Sequence, residues 1–252
     1  MIDWNEIYAA IWRQRKGYLR PVQHVDPVQL DQLVGIDNQK HRLLDNTQRF
    51  MQQKPANNAL LWGARGTGKS SLIKAVFNSY RNQGLRLIEV DKTDLLSLPE
   101  IVDDIRELAQ RFIIYCDDLS FENSETGYKP LKSVLEGSIE LPPENVLLYA
   151  TSNRRNLVPE SMQDNLASTH INGEVHYADA IEEKISLSDR FGLRLSFYSI
   201  TQQAYLDIVD SYFAAYNGNR ELLHTEALQF AAERGAKSGR VAKQFYRYFS
   251  QR

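Results

Sequence analysis

Short apolar runs alternate with stretches of helical period through the middle of the chain, and the last fifty or so residues are helical in pattern throughout. Ala59-Leu60-Leu61-Trp62 is too short for a helix and suits a buried strand, while Ser71-Leu72-Ile73-Lys74-Ala75-Val76-Phe77 beyond it has helical period. After Gly84, Leu85 to Val90 predicts a second strand, and residues 98–110 a helix with Pro99 near its start. Phe112-Ile113-Ile114-Tyr115-Cys116 is a third apolar run, closed by Asp117-Asp118. Val146 to Thr151 is a fourth, closed by Ser152-Asn153, and Leu193-Arg194-Leu195-Ser196-Phe197 alternates like a fifth. Upstream, Gln39 to about Gln52 predicts a helix ended near Pro55. Strands alternating with helices predict an α/β domain on a five-stranded, mainly parallel sheet with helices on both faces.

The two ends differ from this middle. Residues 3–16 predict an amphipathic helix with Asp3 as cap, Glu6 three residues on, and Trp4, Ile7, Tyr8 and Ile11 on one face. Its basic end, Arg13-Gln14-Arg15-Lys16, suits either a nucleic-acid contact or the negative end of a helix dipole, and the dipole is the simpler account. Pro21 and Pro27 mark an extended linker. From Thr201, Tyr205, Ile208, Val209, Tyr212 and Phe213 share one helix face, and Asn217-Gly218 breaks it. Thr225 is the expected cap of a second helix, stopped by Gly235, and Ser238-Gly239-Arg240 opens a third with Val241, Phe245, Tyr248 and Phe249 on its apolar side. The expected division is therefore 1–32 (helix and linker), 33–198 (α/β domain) and 199–252 (small all-helical domain). The polar segment 154–188 is the hardest to assign; a helix over 179–186 is expected, and His170, His176 and Asp179 match no metal-ligand spacing.

The chemistry concentrates at the ends of the predicted strands. Gly63-Ala64-Arg65-Gly66-Thr67-Gly68-Lys69-Ser70 fits the phosphate-binding pattern G-x-x-x-x-G-K-[ST] at every fixed position, between a strand and a helix. Glycines let main-chain N–H groups converge on phosphate oxygens, and the helix N-terminus adds its positive dipole end. Lys69 would neutralise the β- and γ-phosphates, Ser70 would ligate Mg²⁺, and Ser71 follows them in the helix. This pattern predicts binding of a nucleoside triphosphate. In open α/β sheets ligands sit beyond the carboxyl ends of the strands, so Asp117 is the expected second Mg²⁺ ligand and Asp118 the group that orients or deprotonates water. Asn153 would hydrogen-bond the γ-phosphate and that water. Val34 and Ile36, just upstream, are candidates for the adenine pocket.

Composition narrows the class without changing this picture. The chain of 252 residues is 42% hydrophobic and 25% charged, with a net charge of −2, which gives no global drive towards nucleic acid or anionic membrane. A single cysteine, Cys116, excludes an internal disulfide and fits a reducing compartment, where it reads as a small core residue. No apolar run reaches membrane-spanning length and the N-terminus lacks signal-peptide order, so a cytoplasmic location with no membrane partner is expected.

Taken together, the phosphate loop in Trp62-Gly63-Ala64-Arg65-Gly66-Thr67-Gly68-Lys69-Ser70-Ser71-Leu72, the acidic strand, and Leu187-Ser188-Asp189-Arg190-Phe191-Gly192-Leu193 resemble an AAA+ ATPase, and in particular a functionally uncharacterised bacterial family of AAA+ type. The resemblance runs from about Leu33 to Arg252 and implies a P-loop NTPase three-layer domain with a helical lid, ATP and Mg²⁺ as ligands, and oligomers. It implies Asn153 as first sensor, Arg190 as an arginine finger acting on a neighbouring subunit, and Arg240 as second sensor. Two departures stand out. Asp118 occupies a position where such proteins usually carry Glu, and Asp91-Lys92-Thr93-Asp94-Leu95-Leu96 lacks the aromatic–hydrophobic–Gly motif of polypeptide-threading pores.

The expectation is an ATPase that converts ATP to ADP and phosphate to drive a conformational change or partner remodelling. Two alternatives stay open: a nucleic-acid remodeller or loader using Arg13, Arg15, Lys16, Arg154 and Arg155, and an ATP-dependent binding switch with negligible hydrolysis, which Asp118 favours. A kinase is disfavoured because no acceptor-substrate site is recognisable.

Overall fold

A computed structural model describes residues 2–121, 128–137, 139–155, 157 and 186–250. Seven strands form one sheet in the order β2-β1-β4-β5-β6-β3-β7. In chain order these are β1 (Ala9–Arg13), β2 (Tyr18–Pro21), β3 (Ala59–Gly63), β4 (Leu85–Glu89), β5 (Arg111–Cys116), β6 (Val146–Ser152) and β7 (Leu193–Phe197). The five expected strands are all present, and they pair in parallel throughout. The apolar runs of β3, β5 and β6 follow from burial on both faces, the usual condition of a parallel sheet, whereas β7 at the edge alternates. One face packs Leu61, Ile113 and Tyr149 under α1 (Asp37–Met51) and α2 (Lys69–Tyr80). The other packs Leu60, Ile114 and Leu148 with α3 (Leu98–Ile105) and α4 (Tyr128–Glu136).

The N-terminal segment is not the expected helix. Residues 9–13 are a strand that joins β4 in parallel, with Ala10 beside Ile88, and residues 18–21 return antiparallel, so the sheet has seven strands rather than five. A helix built on Trp4, Ile7, Tyr8 and Ile11 would have left Ala9, Ala10 and Trp12 off its apolar face, whereas the strand buries all three. The free edge of β4 supplies what an isolated helix cannot, a row of main-chain partners beside a core. Trp4 completes the anchoring: its ring meets Phe112 edge-on at 5.0 Å and its carbonyl accepts from Arg86 Nε at 2.5 Å.

Other boundaries moved less. The helix expected over 98–110 ends at Ile105 and is preceded by a 3₁₀ turn, Lys92–Ser97, in the segment that lacks the threading motif. Residues 202–249 carry three helices, α5 (Gln202–Tyr212), α6 (Arg220–Glu233) and α7 (Gly239–Phe249), which share an aromatic core centred on Tyr205, Phe213 and Phe245. Asn219, not Thr225, caps α6 by accepting from Leu222 N, while Thr225 lies inside the helix and donates to Glu221 O. The helix expected over 179–186 and the residues His170, His176 and Asp179 fall outside the described residues, except for Ser186, which opens a short helical turn. No described helix is long and apolar enough to cross a membrane.

The parallel register decides where chemistry can gather. Trp62 lies beside Ser152 and Cys116 beside Ala150, so the residues just after β3, β5 and β6 emerge along one edge of the sheet. Across the opposite face of β6, Tyr149 fixes the distance to α1: its buried hydroxyl accepts from Asn46 Nδ2 at 3.0 Å and bonds Thr47 Oγ1 at 2.8 Å.

If residues 9–13 are an integral strand, Trp12→Ala should lower the unfolding free energy by roughly 3–5 kcal/mol, the range for removing a buried large aromatic. Denaturant unfolding with an unchanged m-value checks it, and a loss below about 1 kcal/mol, usual for a surface site, would contradict the buried strand.

Candidate functional site: a phosphate loop facing an acidic strand

The loop between β3 and α2 owes its path to two glycines. Gly63 has φ 129°, and a Cβ there would lie 1.9 Å from the Phe197 carbonyl oxygen, so any other residue would push β7 away. That approach lets Ala64 N donate to Phe197 O at 2.9 Å. Gly66, at φ 74°, lies so close to Ser238 that a Cβ would meet its Oγ at 2.8 Å. The loop then turns into α2 at Lys69, leaving the first N–H groups of that helix directed to its N-terminal end. Thr67 braces the turn by donating to Ala64 O at 2.8 Å.

Lys69, Ser70, Asp117, Asp118 and Asn153 converge on this loop. Lys69 is buried and its ammonium donates to Gly63 O (2.8 Å), Ala64 O (2.7 Å) and Asn153 Oδ1 (3.2 Å). Desolvation pulls its pKa below the ordinary lysine value, and the Arg240 and Arg65 guanidiniums add to that, against the carboxylates of Asp117 and Asp118. An anion placed at the loop would therefore meet an under-compensated cation. Ser70 Oγ donates to Asp117 Oδ1 at 2.7 Å, and Thr151 Oγ1 donates to the same oxygen at 2.5 Å. Desolvation alone would raise the Asp117 pKa, but hydrogen bonds from Thr151 and Ser70, the nearby Tyr115 hydroxyl and the Lys74 charge outweigh it and hold the carboxyl below its ordinary range. Asp117 stays ionised. Thr151 escaped the sequence analysis because it reads only as the last apolar-strand residue; its position beside the acidic strand was the available signal.

Asp118 takes a left-handed conformation, φ 52°, where its N–H donates to Thr151 Oγ1 at 3.0 Å and its carboxylate accepts from Asn153 Nδ2 at 2.5 Å. Short polar side chains tolerate this backbone far better than longer ones. Glu would be less well accommodated here than Asp.

The remaining candidates divide by location. Arg240 opens α7 beside the loop, where Gly239 N donates to Gly66 O at 3.1 Å. Ile36 is buried with its Cδ1 facing Gly68, and Val34 packs against the three-helix core, so the 33–36 segment runs between loop and helices. Arg65 is exposed on the loop, and Ser71 lies half-buried in the first turn of α2. Arg190 is not at this site. It precedes β7, at the sheet edge opposite the loop; β7 spans five residues, so at about 3.3 Å per residue its start is roughly 13 Å from its end. There Arg190 forms an ion pair with Glu136 at 2.5 Å and donates to Ser186 Oγ at 2.9 Å. A cavity of about 530 Å³ opens at that same far edge, lined by Arg190, Arg111 and Lys54 among others, and shares no residue with the phosphate loop.

The donor set fits a magnesium nucleotide. Octahedral Mg²⁺ with bonds of 2.0–2.1 Å has neighbouring ligands about 2.9 Å apart, and Ser70 Oγ and Asp117 Oδ1 are separated by 2.7 Å. A hydroxyl and a carboxylate match that ion's preference for a few protein ligands. No cluster of three or more His, Cys, Asp or Glu side chains suited to a metal occurs among the described residues.

Comparison with solved structures places the fold. A single-substitution variant of RuvB from Thermotoga maritima superposes with a TM-score of 0.51 at 14% identity, covering 89% of this chain and 72% of that one. The structure described as the Thermotoga maritima RuvB Holliday junction branch migration motor gives a TM-score of 0.48 at 13% identity, over 89% and 72% of the two chains. The first likeness shows a shared α/β fold. No curated protein sequence matches the chain. Residues 5–252 match the family described as "Protein of unknown function (DUF815)", and the chain belongs to that family.

Proposed function

We propose that the chain is an AAA+-type ATPase that binds ATP with Mg²⁺ at the Gly63–Ser70 loop and converts it to ADP and phosphate, using the change to move its three C-terminal helices as a lid over the α/β part. The observation that carries this reading is the Ser70–Asp117 pair, 2.7 Å apart, at the loop whose carbonyls hold the Lys69 ammonium. Asp117 and Ser70 would hold Mg²⁺, which supplies positive charge to the β- and γ-phosphate oxygens. Lys69 would exchange its carbonyl acceptors for phosphate oxygens, and the loop N–H groups and the α2 N-terminus would take the rest of that charge. Asp118 would accept a proton from water, with Asn153 orienting both the carboxylate and the γ-phosphate. Arg240, at the loop, would join the lid to the nucleotide. Ile36 and Val34 would face the adenine ring.

Arg190 would act on the nucleotide of a second copy, because its own sheet separates it from the loop of its own chain. Its ion pair with Glu136 would then open on assembly. A second reading rests on Asp118: with its oxygen held by Asn153 at 2.5 Å, the carboxylate is partly spent, which suits a switch that binds ATP and hydrolyses it slowly. Tight ATP binding with no phosphate release at concentrations that assemble the protein would favour the switch.

Three outcomes are expected. Lys69→Ala should weaken Mg²⁺–ATP binding on the order of 10²-fold by calorimetry, the value of a charged hydrogen-bonding group lost from a phosphate site; unchanged affinity would overturn the site. Asp118→Asn should keep ATP binding and lower turnover by about 10²–10⁴-fold, as removal of a general base does. Arg190→Ala should leave ATP affinity as it is and cut turnover by about 10³–10⁵-fold, with wild-type activity rising more steeply than linearly with protein concentration; strict proportionality across the assembly range would exclude action between copies.

A further inference from the structure

The replacement of the expected N-terminal helix by a hairpin changes the meaning of its basic residues. With no helix there, no dipole remains for Arg13, Arg15 and Lys16 to complement. They instead surround the tip of the β1–β2 hairpin, where a 3₁₀ turn, Gln14–Lys16, closes on Gly17 at φ 59°. Arg20 follows on β2. Residues 13–20 thus carry four cations and no acid in a chain whose net charge is −2. All four are exposed, and no ion pair among the described residues engages them.

Strand register sorts these side chains. Trp12 pairs with Leu19, and both pack into the core on one side of the hairpin. Arg13 pairs with Tyr18 and Ile11 with Arg20, so Arg13, Tyr18 and Arg20 share the other side by the two-residue alternation of a strand. Tyr18 is 41% exposed, with Arg13 as its cross-strand partner, Arg20 two residues along the same strand, and Arg15 and Lys16 in the adjoining turn. On that side the nearest acid in register is Glu89, beside Ile11 on β4; two strand spacings, about 9.6 Å, separate its row position from that of Arg20.

We propose that this hairpin is a contact surface for single-stranded nucleic acid, in which Arg13, Arg15, Lys16 and Arg20 bind successive phosphates and Tyr18 stacks on an unpaired base. Charge complementarity selects a polyanion. The single exposed ring amid the cations selects a strand whose bases are free, because a duplex offers no base face to it. A membrane would need apolar side chains to insert at the tip, and residues 13–18 provide none but Tyr18. The proposal stands independently of nucleotide hydrolysis. The plainer role for cations on an edge strand is to prevent edge-to-edge association, and the test must tell the two apart.

Fluorescence anisotropy of a labelled 20-nucleotide oligo-dT strand, titrated with the whole chain across a KCl series, provides that test. Four phosphate contacts on a single strand predict a slope of about −2.8 in log affinity against log salt. Arg15→Glu/Lys16→Glu, at the exposed turn, should weaken binding at low salt by at least tenfold and reduce the slope by about 1.4. Tyr18→Ser should weaken binding by about 5- to 150-fold, the range for one stacked base, with the slope unchanged. Lys69→Ala should bind the strand like wild type, so loss of the ATP site and loss of this surface are read separately. The proposal is overturned if the charge-swapped protein, folded by circular dichroism, keeps full affinity or merely self-associates. It is also overturned if a duplex of equal length, or vesicles containing phosphatidylserine, bind more tightly than the strand.

Discussion

The site depends on a carboxylate that is kept charged while partly withdrawn from water. Asp117 follows a strand buried from Phe112 to Cys116; its own side chain keeps access to solvent, and the desolvation it does meet opposes its ionisation. Two hydroxyls from different elements, Ser70 on α2 and Thr151 on β6, donate to the same oxygen and reverse the balance. One acceptor thereby ties helix, acidic strand and neighbouring strand together. The same hydroxyl on Thr151 also receives the Asp118 N–H, so the conformations of both acids are set by a single β6 side chain. This is why the phosphate loop and the acidic strand form one unit and not two motifs that happen to be near one another.

Most of the sheet was legible because β3, β4, β5 and β6 lie inside it and are dominated by apolar residues, while β7 at its edge keeps a clean alternation. The phosphate loop was legible for a different reason: its glycines answer to steric limits at fixed spacing, such as the approach of Gly63 to Phe197. What the sequence concealed were features decided by partners remote in the chain. Residues 9–13 satisfy a helical period locally, yet the open edge of β4, more than seventy residues away, captures them as a strand. Thr225 is a plausible cap by type, but the chain begins α6 at Asn219, whose side chain reaches Leu222 N. Thr151 looked like one more core residue until β5 was placed beside it.

Asp118 and Arg190, both drawn from motifs, lie at opposite ends of the strands. Asp118 sits within the loop's own reach and in a backbone conformation that suits its short side chain. Arg190 belongs to the same sheet but to its other edge, engaged with Glu136, and no modest rotamer change could carry it round the strands to its own phosphate loop. Arg190 is thus fixed at the far edge of the sheet, where it also lines the cavity of about 530 Å³.

The hydrogen bond that joins the phosphate loop to α7, Gly239 N to Gly66 O, is made of main chain on both sides. Ordinary side-chain replacement cannot delete such a link, although bulk at Gly66 would collide with Ser238. Sequence drift over the outer faces of the three C-terminal helices can therefore proceed while their main-chain contact with the loop is inherited intact. A lineage could re-surface that helical unit and leave it docked in the same place.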